Sequence, residues 1–272
     1  MDIVILTNSY LRHKAFVKRL QKSNKINLKG VFYEKNHPFK LISSNNNDCI
    51  KTRHLDARDV SEQDTFGWFL NFNDKKIVKE ELSVNRGWFS TNEALKKIKN
   101  LQPDLIIVYG TSIIKGPILE IFHNRIINIH LGLSPYYRGS GTNYFPFVNN
   151  EPQYCGASFL LMDDGVDTGK IIHQIRPEIY LFDSFHQLSN RFLLKTFNVA
   201  VQLIEQFKDL EFVDLKDEFF SDKTRKVYKI KDFTEDSLNK LENNFSKGLI
   251  KNYLSNKNSL DSKTPIFSQT TL

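Results

Sequence analysis

Apolar residues along the chain fall into short continuous runs separated by stretches in which they recur every three or four positions. Residues 2 to 6 read as a buried strand, and the turn-forming trio Thr7, Asn8 and Ser9 follows it. Leu11, Ala15, Phe16 and Leu20 then stand at helical spacing, and the run Leu28 to Tyr33 predicts a second strand parallel to the first. This β-α-β opening is that of a doubly wound sheet. From 36 to 90 no clean period emerges: the polar stretch Ser43 to Asp48 alternates with fragments such as Phe66 to Phe72, and the elements there stay open.

Order returns at Thr91, an N-cap residue for a short helix through Lys99. Asp104 to Tyr109, between Pro103 and Gly110, predicts a central strand. A helix from Gly116 to Phe122 and a strand from Arg125 to Leu131 follow, and then a helix over Thr142 to Asn149. Gly156 to Met162 and Lys170 to Ile179 flank the turn-rich DDGVDTG, the pattern of a hairpin. Between Asp183 and Phe207 the residues Phe185, Leu188, Phe192, Leu193, Phe197, Val201 and Ile204 form one apolar stripe, so a long helix packs there on the core. Beyond Asp209 the chain predicts a turn at Ser221 to Lys226, a strand-like piece from Lys226 to Ile230, a helix after Thr234 and a disordered final dozen residues.

The 272 residues, 40% of them hydrophobic, suffice for a substantial core. The first apolar run is four residues long without a basic leader, and no run approaches the roughly 18 residues of a membrane span, so the expectation is a cytoplasmic protein without one. Cys49 and Cys155 are distant and lack CxxC partners, which supports neither a disulfide framework nor a zinc site. The net charge of +7 allows an anionic partner, but the lysines are dispersed and often adjoin asparagine, so nucleic acid is not expected.

Asn128 and His130 lie two apart near a strand's C-terminal end, on one sheet face, where ligands of open α/β sheets gather. An amide and an imidazole side by side can stabilise developing negative charge and exchange a proton. A buried histidine satisfied by backbone would give the same pattern. Asp163, Asp164 and Asp167 follow in a glycine-bracketed turn, where a carboxylate can orient His130 or simply shape the turn. The DDGVDTG loop lacks the ligand positions of an EF-hand, and Gly139, Gly141 and Tyr144 fail the GxGxxG fingerprint. Ser134 lacks the second glycine of a GxSxG elbow, and the histidines show no metal-ligand spacing, so no metal is expected.

In this order PDLIIVYG (Pro103 to Gly110), INIHLGLSPYYRG (Ile127 to Gly139) and DDGVDTGKII (Asp163 to Ile172) resemble the 10-formyltetrahydrofolate-dependent formyltransferases. These comprise glycinamide ribonucleotide transformylases, methionyl-tRNA formyltransferases and sugar N-formyltransferases. The resemblance implies an α/β fold, a Rossmann-like core with a mostly parallel sheet over 1–208 and a small C-terminal α+β extension over 209–272. It implies that Asn128, His130 and Asp167 are catalytic and that 10-formyltetrahydrofolate is the cosubstrate. It further implies a folate site formed by Tyr109, Gly110, Ser112, Ile114, Asp163 and Asp164.

Among these families the chain is most similar to the sugar N-formyltransferases, in length and in the SGTN extension after YYRG. A methionyl-tRNA enzyme would carry a further barrel after the core, and a glycinamide ribonucleotide enzyme a glycine-rich turn where this chain has TNSYLRHKAF. The expected acceptor is therefore a nucleotide-linked amino sugar destined for surface polysaccharide such as lipopolysaccharide. Arg12, His13 and Lys14 at the first helix's start, and Arg138, are candidates for binding it. The resemblance also implies a homodimer formed through the carboxy-terminal region. Alternatives are another amine acceptor, glycinamide ribonucleotide or methionyl-tRNA, and a non-catalytic folate- or nucleotide-binding module; the missing glycine fingerprint argues against a dehydrogenase.

Overall fold

The runs of apolar residues in the first half of the chain become the strands of a single seven-stranded sheet in a computed structural model, which describes residues 1–35, 49–70, 78–214, 220 and 225–270. In chain order the first elements are β1 (Asp2–Asn8), α1 (Leu11–Gln21), β2 (Asn27–Glu34), α2 (Ile50–Leu70) and β3 (Glu80–Val84). Next come α3 (Asn92–Asn100), β4 (Leu105–Tyr109), α4 (Pro117–Ile121) and β5 (Ile126–His130). After β6 (Tyr137–Gly139) and α5 (Phe145–Val148) follow the hairpin β7 (Ala157–Leu161) and β8 (Ile171–Ile175) and the long α6 (Phe185–Glu205). The tail holds β9 (Lys226–Tyr228), α7 (Glu235–Ser246) and α8 (Leu249–Ser262).

The strand order is β3-β2-β1-β4-β5-β7-β8. The first five strands pair in parallel, whereas β7 runs antiparallel to both β5 and β8. Strand β1 shows why the sheet is a middle layer. Its Ile3 and Ile5 pack with Phe16, Leu20, Phe197 and Val201 on one face, and its Val4 and Leu6 pack with Ala94, Ile98 and Ile118 on the other. Both faces are covered, so the strand reads as a continuous apolar run. Thr91 caps α3 by accepting from the Ala94 N–H, and Ser184 with Gln187 forms a capping box at α6.

A third core cluster joins Leu133, Tyr136, Tyr137, Phe145 and Phe147 to Leu238, Leu241, Leu249 and Ile250 of the tail helices. The stretch left open by the sequence contains α2 and β3, while the polar segment Ser43 to Asp48 and most of the turn at Ser221 to Lys226 lie outside the described residues.

Two expectations are corrected. The helix over Thr142 to Asn149 shrinks to α5, because the Thr142 hydroxyl is drawn back to the Leu131 carbonyl and Gly141 adopts a left-handed φ of 69°. Within the final dozen residues the chain is docked at 267–269, since the Gln174 N–H of β8 donates to the Phe267 carbonyl and Gln269 donates to the carbonyls of Ile172 and Glu211. Together with the antiparallel bridge between Ile171 and Val213, those bonds cover the outer edge of β8. Among the described residues no helix is long and apolar enough to cross a membrane.

Candidate active site

Strand order reverses between β1 and β4, and a cleft of about 910 Å³ opens beyond the C-terminal ends of β1, β2, β4 and β5. Its walls come from the start of α1, the polar side of α2, the loop after β5, the β7–β8 connection, α6 and the segment 227–233.

Asn128 and His130 project into this cleft from the end of β5, as their spacing predicts. The β7–β8 connection brings Asp167 to them in a left-handed conformation, φ 52°, which aspartate tolerates better than most residues. The Asn128 amide donates through Nδ2 to Asp167 Oδ1 at 2.8 Å, and His130 Nδ1 lies 3.3 Å from Oδ2. Oδ2 also accepts the Gly139 N–H at 2.9 Å. On its other edge, His130 Nε2 meets the Tyr137 carbonyl at 3.0 Å. A carbonyl and a carboxylate both only accept, so each nitrogen of the His130 ring faces an acceptor. Gly132 makes room for the ring, since a Cβ there would come within 2.4 Å of Nε2.

Of the residues expected around a folate, Tyr109, Gly110, Ser112 and Asp163 line the cleft. Ile114 does not: it is 2% exposed and packs in the core beneath the sheet, while its neighbour Ile113 is 59% exposed and lines the cleft. Asp164 is exposed and outside the lining. Ser112 is anchored by the buried Glu34, which accepts from its N–H at 2.7 Å, from its hydroxyl at 2.5 Å and from the Gly87 N–H at 2.9 Å. Asp163 folds its own loop by accepting from Gly165 N–H and the Thr168 hydroxyl. Burial raises the pKa of the Tyr109 phenol above its usual range.

The expected anion-binding residues are arranged differently from the prediction. Arg12 lines the cleft but is ion-paired with Glu62 of α2. His13 is buried against Tyr109, their ring centroids 4.6 Å apart, and burial with the adjacent Arg12 charge holds its pKa well below the usual histidine value, so it is neutral. Lys14 is exposed and lies outside the cleft lining, as does Arg138 on β6. Arg12 and His13 thus both line the cleft, whereas Lys14 lies on another side of the helix.

The sequence reading missed a second set on α2. His54, Arg58 and Glu62 stand four apart and form one stripe facing the cleft. His54 lies 4.6 Å from His186 between ring centroids, with Phe185, Tyr144 and Phe233 around it at 5.8 to 6.0 Å from His54. Lys229 and Lys231 close this end. The 54-58-62 spacing was the available signal, hidden because the stripe is polar.

The profile of the family described as formyl transferase matches residues 15–204. A methionyl-tRNA formyltransferase from Thermodesulfovibrio yellowstonii is 30% identical over 116 residues, covering 42% of this chain and 37% of that protein. Another, from Desulforamulus reducens, is 40% identical over 83 residues, or 30% of this chain and 26% of that protein. The matched stretch thus spans well under half of these relatives. In fold, the chain is similar to a sugar N-formyltransferase from a Shewanella species, with a TM-score of 0.53, 17% identity and coverage of 86% of this chain and 78% of that one. It is also similar to glycinamide ribonucleotide transformylase 1 from Symbiobacterium toebii, with a TM-score of 0.53, 16% identity and coverage of 79% and 94%. With its profile matched over most of its length, the chain belongs to the formyl transferase family.

Proposed function

We propose that this chain is a cytoplasmic N-formyltransferase that moves a formyl group from 10-formyltetrahydrofolate to the amino group of a nucleotide-linked amino sugar, for surface polysaccharide synthesis. The observation that carries the reading is the junction of Asn128, His130 and Asp167 at the floor of a cleft with two unlike ends. One end, between Gly110 to Ile113 and Leu160 to Asp163, combines loop peptide groups with the exposed apolar side chains of Ile113 and Val166. That chemistry fits a flat heteroaromatic ring recognised through backbone groups. The other end carries Arg58, Lys229 and Lys231 beside an aromatic and imidazole wall, which fits a base and its phosphates.

The cosubstrate supplies an activated formyl group. Asn128 keeps its second amide hydrogen after bonding Asp167, and in this reading it donates that hydrogen to the formyl oxygen as negative charge develops. His130 takes part in removing the proton from the attacking amine and Asp167 orients its ring; the bond between the formyl carbon and the cosubstrate then breaks, and the departing nitrogen of tetrahydrofolate takes up a proton. Residues 209–272 complete the cleft wall through 227–233 and, in the same proposal, supply the surface of a homodimer.

The sequence relatives named above are methionyl-tRNA formyltransferases, which favours methionyl-tRNA as a second candidate acceptor. The deciding experiment incubates the protein with 10-formyltetrahydrofolate and, separately, nucleotide-linked 3-amino and 4-amino sugars, glycinamide ribonucleotide and methionyl-tRNA, with mass spectrometry reading the gain of one formyl group. Formylation of one amino sugar supports the proposal; formylation of methionyl-tRNA alone replaces the acceptor; no product with any amine overturns the reaction.

A further inference from the structure

The contacts that hold the Asp167 carboxylate leave its main chain to be fixed separately, and one side chain does this: the Ser134 hydroxyl donates to the Asp167 carbonyl at 3.1 Å. Ser134 is fully buried and each of its polar groups is used. Its N–H donates to Ser158 Oγ at 2.9 Å, and its carbonyl accepts from Gln174 Nε2 at 2.6 Å. The Ser158 hydroxyl accepts a second bond from Gln174 Nε2 at 2.8 Å and donates to the Gly132 carbonyl at 2.7 Å, two residues from His130. Gln174 is equally buried, and its Oε1 accepts the Phe267 N–H at 3.1 Å. Its backbone N–H donates to the Phe267 carbonyl at 2.7 Å, and its carbonyl accepts the Ser268 hydroxyl at 3.0 Å.

This is a continuous buried network from the strap at 264–269 to the residue that spans Asn128 and His130. A glutamine amide costs free energy to bury unless every group is paired, whereas an apolar side chain at the same position of β8 would pack without such demands. What the amide adds is direction: it ties three backbone segments, around 134, 158 and 267, in one fixed geometry. The output of the network toward the cleft is the Asp167 carbonyl and the Gly132 carbonyl, on either side of the reaction centre.

We infer that Gln174 and Ser134 are positioning residues that hold Asp167 in the left-handed conformation from which its carboxylate reaches Asn128 and His130, and that they make the reaction centre depend on the docked strap. The inference rests on the reading of Asp167 as part of that centre. It is tested in the full chain with Ser134→Ala, Gln174→Met and Ser134→Thr, by steady-state kinetics on the acceptor found above and by nuclear magnetic resonance of histidine rings labelled with nitrogen, recorded without ligand.

Ser134→Ala and Gln174→Met lower kcat about 10- to 100-fold, the loss expected when a reacting group is displaced by a fraction of its reach, while KM is unchanged. The His130 ring signals move in both variants, and Ser134→Thr, which keeps the hydroxyl, returns them toward the wild-type values. Folded Ser134→Ala protein with wild-type kcat and wild-type His130 signals overturns the inference. If Gln174→Met does not fold, Ser134→Ala decides alone, since it deletes one hydroxyl and leaves the backbone bonds of residue 134 in place. If the wild-type chain formylates no amine, the proposed reaction fails, and the ring signals still decide whether the network is coupled to His130.

Discussion

The Asn128 amide and the Asp167 carboxylate are joined by a 2.8 Å hydrogen bond that commits Asn128 Nδ2 as donor, because the carboxylate can only accept. The same carboxylate contacts His130 through its other oxygen, so one side chain sets the relative orientation of the two β5 residues. An amide donor and an imidazole ring thus share a single support.

Asn128→Ala removes the donor and is expected to lower kcat by about 10²–10³, or ~2.7–4 kcal/mol of transition-state stabilisation. His130→Ala is expected to abolish measurable turnover. Neither side chain belongs to the three main apolar clusters, so both variants retain the wild-type circular dichroism spectrum. Initial rates with the formylated acceptor check the first claim, and wild-type turnover in folded His130→Ala would remove the histidine from the mechanism.

Gly139 is held at φ 91° where β6 meets β9, and a Cβ there would approach the Tyr228 carbonyl oxygen to 2.1 Å. Gly139→Ala therefore forces both a disfavoured backbone and a parting of the two strands, with an expected cost of about 1–3 kcal/mol. Because the Gly139 N–H also serves Asp167 Oδ2, activity falls along with stability. Urea unfolding and kcat on the same preparation test the pair of effects; loss of neither would mean that the turn relaxes without consequence.

The parallel strands were legible because a sheet covered on both faces leaves uninterrupted apolar runs, and β1, β4 and β5 emerge within a few residues of their predicted ends. The site was legible where strand spacing alone decides direction, as for Asn128 and His130. Helix α2 was not. It spends much of its inward side on His54, Arg58 and Glu62, with Phe66 one turn further on, so a periodicity search for apolar residues finds nothing. The role of Ser134 was also invisible, since it depends on a bond to the carbonyl of a residue 33 positions away. Arg12 illustrates the opposite failure: its position was read correctly, but its ion pair with a distant carboxylate was not.

That pair gives the third prediction. Arg12 and Glu62 are largely withdrawn from solvent, with side-chain exposures of 24% and 7%. Removing Glu62 alone strands the guanidinium and is expected to cost about 3–5 kcal/mol, whereas replacing both residues by methionine is expected to be close to neutral. A double-mutant cycle in urea measures the difference. A loss in the double variant equal to the sum of the two single losses would show that the two side chains act independently.

The last prediction concerns acid. Burial lowers the pKa of His54 to about 3, with His186 and Arg58 adding positive charge beside it. Burial also lowers His186 and His173 to about 4, the first with help from Arg58, and the second accepts the Gln269 N–H at Nδ1, a bond that a proton there would break. Facing His54 are Arg58 from its own helix, His186 from α6 and the uncharged rings of Tyr144, Phe185 and Phe233. The folded chain keeps these imidazoles neutral while the unfolded chain protonates them near the ordinary value of 6.5, so the unfolded state binds more protons as pH falls. Their contribution is complete above pH 6.5 and is lost progressively as pH drops toward about 4. Asp2, lowered from 3.8 chiefly by its bonds with Asn27 and Lys29, loses its contribution only in more acid solution. Urea unfolding at a series of pH values is therefore expected to show stability falling below pH 6.5 in the wild type and falling less steeply in His54→Gln. Identical slopes for the two proteins would mean that His54 takes up a proton in the folded state as readily as in the unfolded one.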